Sequence, residues 1–230
     1  MLRLERMKVD NGGFFLSADL EVEPGRKVAV IGPSGAGKTT LIEAIAGFLP
    51  VVDGRILWDG EDITGADPGH RPVAMLFQDG NLFPHLSVAQ NVGLGLRPDL
   101  RLDRHQHEQV ARALARVGLE GLEDRKPAAL SGGQQSRAAL ARVLVQGRPL
   151  LLLDEPFAAL GPALKGEMLD LVAELADETG ATLLMVSHDP NDARRITDQV
   201  VLVENGQARA PQETHALLDN PPAELRAYLG

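Results

Sequence analysis

The chain has 230 residues, of which 44% are hydrophobic, and it carries a formal net charge of -9 at pH 7. That length and apolar content suit a single globular domain, while the acidic balance argues against a nucleic-acid partner, because proteins that bind DNA or RNA usually carry a basic excess. The chain contains no cysteine, which excludes disulfides, thiolate metal sites and cysteine nucleophiles.

The first part of the chain predicts antiparallel β structure. Residues 2–31 read as short strands in which apolar and charged residues alternate, and the turn Asn11-Gly12-Gly13 separates two of them. Further on, Asp53-Gly54 and Asp59-Gly60 bracket residues 55–58, which predicts a hairpin. We therefore expect an N-terminal antiparallel β subdomain.

A glycine-rich stretch of the form G-x-x-x-x-G-K-[ST] follows the apolar run 28–31 and precedes a helical pattern. Its glycines let several backbone N–H groups point at one anion, and a helix beginning at Lys38 adds free N–H groups and a favourable dipole. Lys38 supplies positive charge for the outer phosphates, and the Thr39 hydroxyl suits Mg²⁺. A plain strand-to-helix turn is the alternative, but the combined pattern favours a nucleoside triphosphate site. The candidate nucleotide-binding residues are Gly32, Pro33, Ser34, Gly35, Ala36, Gly37, Lys38, Thr39 and Thr40.

The middle of the chain changes to a helical pattern. A buried strand is predicted at 72–77, and helix is predicted from residue 85 to about residue 145. Within it, Asp103 and Gln106 fit a capping box, and apolar residues of the run 110–117 fall on one face. We interpret residues 85–145 as a helical subdomain inserted into a single domain that spans residues 1–230.

The second half predicts a parallel sheet. Buried strands are expected at 150–153, 182–186 and 200–203, with helical segments between them. This alternation is typical of a largely parallel sheet with both faces covered. The predicted fold class is α/β, a P-loop NTPase core with a mostly parallel sheet, the N-terminal antiparallel subdomain and the helical insert.

Two carboxylates, Asp154 and Glu155, end the apolar strand 150–153. Adjacent carboxylates repel each other and lose hydration at the end of a buried strand, so they require a cation or a catalytic role. Ligands collect at the carboxyl edge of open parallel sheets, where Asp154 can hold Mg²⁺ and Glu155 can activate the attacking water. The alternative is an exposed acidic turn.

Residues 131–134 offer a second candidate anion site. Ser131 and Gln134 match a capping box, which is also what an ordinary helix start shows. Two adjacent glycines make a poor helix opening but leave a bare N-terminus that suits phosphate. This segment either completes the nucleotide site of its own chain or serves the nucleotide of a second copy, which requires a dimer.

The stretch Leu130-Ser131-Gly132-Gly133-Gln134 resembles the signature of ATP-binding cassette (ABC) ATPases, and the resemblance covers essentially the whole chain in the right order. It implies that two copies of the chain sandwich two ATP molecules. It also implies that Gln78 senses the γ-phosphate and the metal, and that His188 touches the γ-phosphate. Without the resemblance, Gln78 indicates almost nothing about function. His188 would then be interpreted as a polar residue that precedes a helix capped by Asp189. The signature residues implied to meet the γ-phosphate held by the other copy are Ser131, Gly132, Gly133 and Gln134.

Within that family, residues 45–49, 75–96 and 183–188 look like thiamine-import ATPases, although iron(III) and polyamine importers share much of the pattern. The resemblance implies ATP hydrolysis that drives uptake, integral-membrane permease subunits that contact residues 78–85 and the helical insert, and a periplasmic solute-binding protein that acts indirectly. No apolar run reaches the roughly twenty residues of a membrane span, so we expect a peripheral protein at the cytoplasmic face of the bacterial inner membrane. A soluble ABC ATPase and a GTP switch are alternatives, but the charge is acidic and no Asn-Lys-x-Asp string occurs.

The chain departs from the family pattern at two places. Family members usually carry Ser-Ala-Leu-Asp where this chain has residues 158–161, Ala-Ala-Leu-Gly, which removes a hydroxyl and a carboxylate from the dimer interface. Adenine normally stacks on an aromatic residue near position 11, where this chain has asparagine. Either Phe14 or Phe15 must then serve, or adenine stacking is weak.

Overall fold

The computed structural model describes residues 1–78, 82–222 and 225–226. The strands of the first part are β1 (Leu2–Asn11), β2 (Phe14–Val22), β3 (Lys27–Ile31), β4 (Val51–Trp58) and β5 (Glu61–Asp62). Those that follow are β6 (Val73–Leu76), β7 (Leu150–Asp154), β8 (Thr182–Val186), β9 (Gln199–Glu204), β10 (Gln207–Ala208) and β11 (Gln212–Glu213). The helices are α1 (Lys38–Ala46), α2 (Val88–Gly93), α3 (Arg104–Arg116), α4 (Gly132–Leu144), α5 (Pro162–Thr179), α6 (Pro190–Ile196) and α7 (Thr214–Asp219).

A parallel block of five strands, in the order β9-β3-β8-β7-β6, forms the centre of the molecule. Its strands are nearly all buried, as the apolar runs in the sequence predict. Asp154 pairs with Val186 in the register of β7 and β8, and Val30 of β3 pairs with Val186 from the other side. The three strands therefore end at the same edge of the sheet.

An antiparallel block in the order β5-β4-β1-β2 continues the same sheet. The two blocks are joined by β10, which runs parallel to β2 and antiparallel to β9. The predicted α/β class with a mostly parallel core and an N-terminal antiparallel part is confirmed. A short strand from the second half of the chain is needed to connect the two parts.

One predicted turn is wrong. Asp53-Gly54 lies inside β4, and only Asp59-Gly60 turns the chain, between β4 and β5. Gly54 has a φ of +82° and sits where the register between β1 and β4 shifts. A Cβ there would lie 2.3 Å from the carbonyl oxygen of Arg6 on the facing strand, so glycine serves a bulge at this position.

Helices α2, α3 and α4 fill the segment between β6 and β7. The capping box of Asp103 and Gln106 is present, and Val110, Leu114 and Val117 are at most 3% exposed. These side chains belong to one apolar cluster that also contains Leu76 of β6, together with residues of β7 and α5. The helical insert thus packs directly on one face of the sheet, and its boundaries at about residues 85 and 145 stay a prediction.

The other face of the sheet is covered by α1, which shares an apolar cluster with the antiparallel strands. A third cluster joins β3 and β9 to α6 and α7. Within the described ranges, no helix combines the length and the apolar character that crossing a membrane requires.

Candidate functional site

Three elements bring the predicted chemical residues together at the carboxyl edge of the parallel block. The loop that follows β3 leads into α1, which begins at Lys38 after Gly37 at its N-cap. Strand β7 ends in Asp154, and β8 is followed by Ser187 and His188. Since these strands are neighbours with ends in register, their terminal side chains converge.

Thr39 and Asp154 face each other across this edge. The Thr39 hydroxyl donates a hydrogen bond of 3.3 Å to Oδ1 of Asp154, which is only 8% exposed. Burial raises the pKa of Asp154, the charge of Glu155 adds to this, and the bond from Thr39 and the charge of Lys38 oppose it. A hydroxyl and a desolvated carboxylate are oxygen ligands of the kind that Mg²⁺ prefers, so this pair fits that ion.

Lys38 folds back over the loop that precedes it. Its ammonium donates to the carbonyl oxygens of Gly32 at 2.8 Å and Pro33 at 2.9 Å, and the residue is 8% exposed. Burial lowers its pKa, while the charges of Glu155 and Asp154 act in the opposite direction. The positive charge is therefore held over the glycine-rich loop, where an incoming anion would meet it.

Glu155 has an unusual backbone. Its φ is +43°, a left-handed conformation that non-glycine residues rarely adopt and that costs on the order of 1–3 kcal/mol. Its backbone N–H donates to the carbonyl oxygen of Val186 at 3.2 Å, which holds the turn. The side chain then reaches His188, with Oε2 3.3 Å from Nδ1. The sequence did not predict this left-handed backbone, because the residue types around Glu155 carry no signal for it.

A pocket lies over the glycine-rich loop. Phe14 lines it, whereas Phe15, its neighbour on β2, is 64% exposed and does not. A Cβ on Gly37 would lie 3.0 Å from the Phe14 ring, so that ring rests against the loop itself. The lining residues are Asn11, Phe14, Ser34, Gly35, Gly37, Lys38, Thr39, Thr40 and Glu155.

Gln78 and the signature segment lie elsewhere. The exposed Gln78 and Gly132 line a second groove, between the helical insert and the segment 156–160. The capping box of Ser131 and Gln134 is present at the start of α4. Among the residues described, none of 131–134 lines the pocket over the loop. The predicted nucleotide-binding residues thus fall into two groups on one chain.

Gly133 packs closely against α5. A Cβ at that position would lie 2.4 Å from a methyl group of Leu164 on α5. Its neighbour Gly132 has open space where its side chain would be. The two adjacent glycines therefore differ, since a side chain at Gly133 would require Leu164 to shift and one at Gly132 would meet no atom within 4 Å. Asp79, Gly80 and Asn81, part of the stretch that resembles importer ATPases, lie outside the described residues.

The altered segment 158–161 ends at a helix start. Gly161 is the N-cap of α5, with φ -65° and ψ 156°, and no side chain caps the helix. Pro162 follows at the first helical position, where its missing N–H costs nothing. An aspartate at position 161 would therefore occupy the N-cap of α5.

The chain is similar to named proteins over its whole length. A family model described as ABC transporter matches residues 16–158. A relative from Ruegeria sp. (strain TM1040), called thiamine import ATP-binding protein ThiQ, is 66% identical over 230 residues and 100% of both chains. A protein of the same name from Cereibacter sphaeroides is 60% identical over 230 residues and 100% of both chains.

Solved structures of ATP-binding cassettes share the fold of this chain. One is an ATP-binding cassette of an ABC transporter in its ADP conformation, with a TM-score of 0.89 and 28% identity to this chain. The superposition includes 100% of this chain and 98% of that structure. Another is a dimeric cassette in a post-hydrolysis state bound to ADP and phosphate, with a TM-score of 0.80 and 27% identity. The superposition includes 93% of this chain and 99% of that structure.

Proposed function

The chain belongs to the ABC transporter family, and from that premise we propose that it is the ATP-hydrolysing subunit of an importer that takes up thiamine. The names of the two relatives, at 66% and 60% identity, support this substrate. An iron(III) or polyamine-type importer is the second candidate, because sequence stretches around Gln78 are common to all three.

ATP would bind in the pocket over the glycine-rich loop. The loop N–H groups and the start of α1 suit the phosphates, and Lys38 lies ready to exchange its two carbonyl partners for phosphate oxygens. Thr39 and Asp154 would hold Mg²⁺, with Gln78 joining from the second groove. When bound, that ion neutralises charge on the phosphates. A cation would also relieve the desolvated carboxylate of Asp154.

Hydrolysis would depend on Glu155 and His188. The carboxylate of Glu155 accepts a proton from the attacking water, and His188, within 3.3 Å of it, holds the γ-phosphate end of the site. The observation that carries the proposal is this pair beside the Thr39–Asp154 pair at one edge of the sheet. Nucleophile activation and phosphate binding would then occur at the same edge of the sheet, at the ends of β3, β8 and β7.

A second copy of the chain would complete the site. The signature residues 131–134 do not line the pocket over their own loop in the described structure, which supports their action on the nucleotide of a partner. The segment 158–161 would lie between the two copies. ATP binding closes such a dimer and hydrolysis reopens it.

The membrane partners would be permease subunits at the cytoplasmic face of the bacterial inner membrane, and a periplasmic solute-binding protein would act through them. Docking is proposed around residues 78–85, where the described part exposes Phe83 by 46%. Asn91, itself fully buried, holds the backbone of Phe83 by accepting from its N–H at 2.7 Å and donating to its carbonyl oxygen at 3.1 Å. An exposed aromatic side chain on a backbone held in this way suits a protein contact.

Phosphate release from Mg-ATP by the purified chain tests the enzymatic part. Lys38→Ala is expected to lower the rate of phosphate release at least about a hundredfold, because the charge on the phosphates loses its main side-chain partner. The fold should persist, since alanine suits a helix and the buried ammonium is removed. Lys8→Ala, which removes an exposed ion pair with Asp53, serves as the control. A folded Lys38→Ala variant with the wild-type rate would contradict the proposed site.

A further inference from the structure

Lys165 joins two helices beside the hydrolysis site. It lies in the first turns of α5, and its ammonium is 2.7 Å from Oδ1 of Asp192 and 3.1 Å from Oδ2 of Asp189. Asp189 is the N-cap of α6 and Asp192 lies in its first turn. One lysine therefore holds the start of α6, immediately after His188.

The contact continues inward to the residue before His188. Asp192 is 6% exposed and accepts a hydrogen bond of 2.5 Å from the Ser187 hydroxyl. The Ser187 backbone N–H donates to the carbonyl oxygen of Val30 at 3.3 Å. Ser187 is thus fixed to the sheet through its backbone and to Lys165 through Asp192, and His188 follows it directly.

The ion pairs are partly withdrawn from water. Burial alone would disfavour the Lys165 charge, yet its bonds to Asp192 and Asp189 outweigh this and raise its pKa. Burial also opposes the charge of Asp189, but the Asn191 N–H and Lys165 lower its pKa overall. Removing the lysine would leave the buried Asp192 side chain without its cation partner, a larger disturbance than loss of a surface pair.

Lys165 also connects to the segment that departs from the family pattern. Its backbone N–H donates to the carbonyl oxygen of Gly161 at 2.9 Å. Lys165 also lines one small pocket together with Glu155, Ser187 and His188. One residue thus contacts the end of segment 158–161 through its backbone and the His188 segment through its side chain.

We propose that Lys165 is a positioning residue for ATP hydrolysis, which holds His188 opposite Glu155 and links its placement to the segment 158–161. The inference rests on the proposed ATPase function. Lys165 would act through Asp192 and Ser187, to which its ammonium is linked. Its loss leaves the phosphate loop intact and displaces the imidazole.

A second ion pair between α5 and α6 supplies a control. Arg195, near the end of α6, makes a bidentate pair with Asp170 of α5, at 2.7 Å for both bonds, and both side chains are exposed. If Lys165 merely docked α6 onto α5, breaking either tie would have similar effects. If Lys165 positions His188, only its own loss changes the turnover number.

The experiment measures kcat and KM for Mg-ATP, well below the unfolding temperature, in wild type, Lys165→Met, Lys165→Arg and Asp170→Asn. We expect Lys165→Met to lower kcat about ten- to a hundredfold with little change in KM, because a displacement of about 1 Å is worth that much. Lys165→Arg should recover most of the rate, and Asp170→Asn should match wild type. Wild-type kcat in folded Lys165→Met, or an equal loss in Asp170→Asn, would overturn the inference.

Two further outcomes are covered. If Lys165→Met does not fold, Lys165→Met/Asp192→Asn, which removes both buried charges, replaces it. The same fall in kcat is then expected, and an unchanged kcat overturns the inference. If the wild type itself releases no phosphate, the proposed function fails and the inference fails with it. If the wild type is active and only the expected effect of Lys165→Met is missing, the inference alone fails.

Discussion

The Glu155 carboxylate and the His188 imidazole meet at the ends of two neighbouring strands, with Oε2 3.3 Å from Nδ1. The pairing of Asp154 with Val186 brings the two strand ends together, and the left-handed backbone of Glu155 turns its side chain toward the histidine. Both side chains remain reachable, since Glu155 is 25% and His188 57% exposed. The strand register and the backbone of Glu155 thus hold the two side chains within hydrogen-bond distance of each other.

Glu155→Gln should bind Mg-ATP and hydrolyse it about 10²–10⁴ times more slowly, because an amide cannot accept the proton of the attacking water. If the signature acts on a partner's nucleotide, this variant should accumulate as a dimer in sedimentation with Mg-ATP. Adding Ser131→Arg should disperse that dimer. A Glu155→Gln protein that stays monomeric at high concentration with bound ATP would count against the sandwich.

Local sequence patterns were enough to predict the glycine-rich loop, the start of α1 and the carboxylates after β7. Each depends on neighbours in the chain, and α1 does begin at Lys38. The bulge at Gly54 could not be predicted, because it is imposed by Arg6 on the facing strand. The contact of Lys165 with Asp192 likewise joins residues far apart in sequence. What the sequence missed are contacts between elements, which residue types alone do not specify.

Gly161→Asp should stabilise the chain and change its catalysis. A Cβ at Gly161 meets no atom within 4 Å, and the residue already has N-cap geometry, so aspartate should add a few tenths of a kcal/mol. With the permease present, we expect higher ATP turnover or steeper dependence on ATP, because the carboxylate would reach the dimer interface. Thermal unfolding and steady-state kinetics measure the two effects. Unchanged turnover and cooperativity in a dimer that still forms would show that the missing carboxylate has no catalytic consequence.

Phe14→Leu should weaken ATP binding by about tenfold if its ring stacks on adenine, since base stacking is worth about 1–3 kcal/mol. Phe14 lines the pocket over the glycine-rich loop and Phe15 does not, so Phe15→Leu is the control. Titration with inorganic triphosphate separates stacking from disturbance of the loop, because that ligand has no base. Equal loss for ATP and triphosphate would mean that Phe14 only supports Gly37, and no loss for either ligand would remove it from the site.

Asp189→Asn should lower the unfolding temperature at neutral pH. The pKa of Asp189 is lowered in the folded chain, so its stabilising contribution is present above the ordinary value of 3.8 and is lost as the pH falls through the lowered pKa. The amide keeps the cap on α6 but loses the charge that faces Lys165. Wild type and variant should therefore differ at neutral pH and converge in acid. A difference that persists unchanged into acid would assign the effect to packing.

Thiamine uptake tests the central claim most directly. Cells that lack this chain are given either the wild-type gene or Glu155→Gln, expressed equally, and uptake of labelled thiamine, iron(III) and a polyamine is followed in parallel. The account predicts that loss of the chain abolishes high-affinity thiamine uptake alone, that wild type restores it and that Glu155→Gln does not. Thiamine uptake that persists without the chain, while iron(III) or polyamine uptake falls, would contradict it.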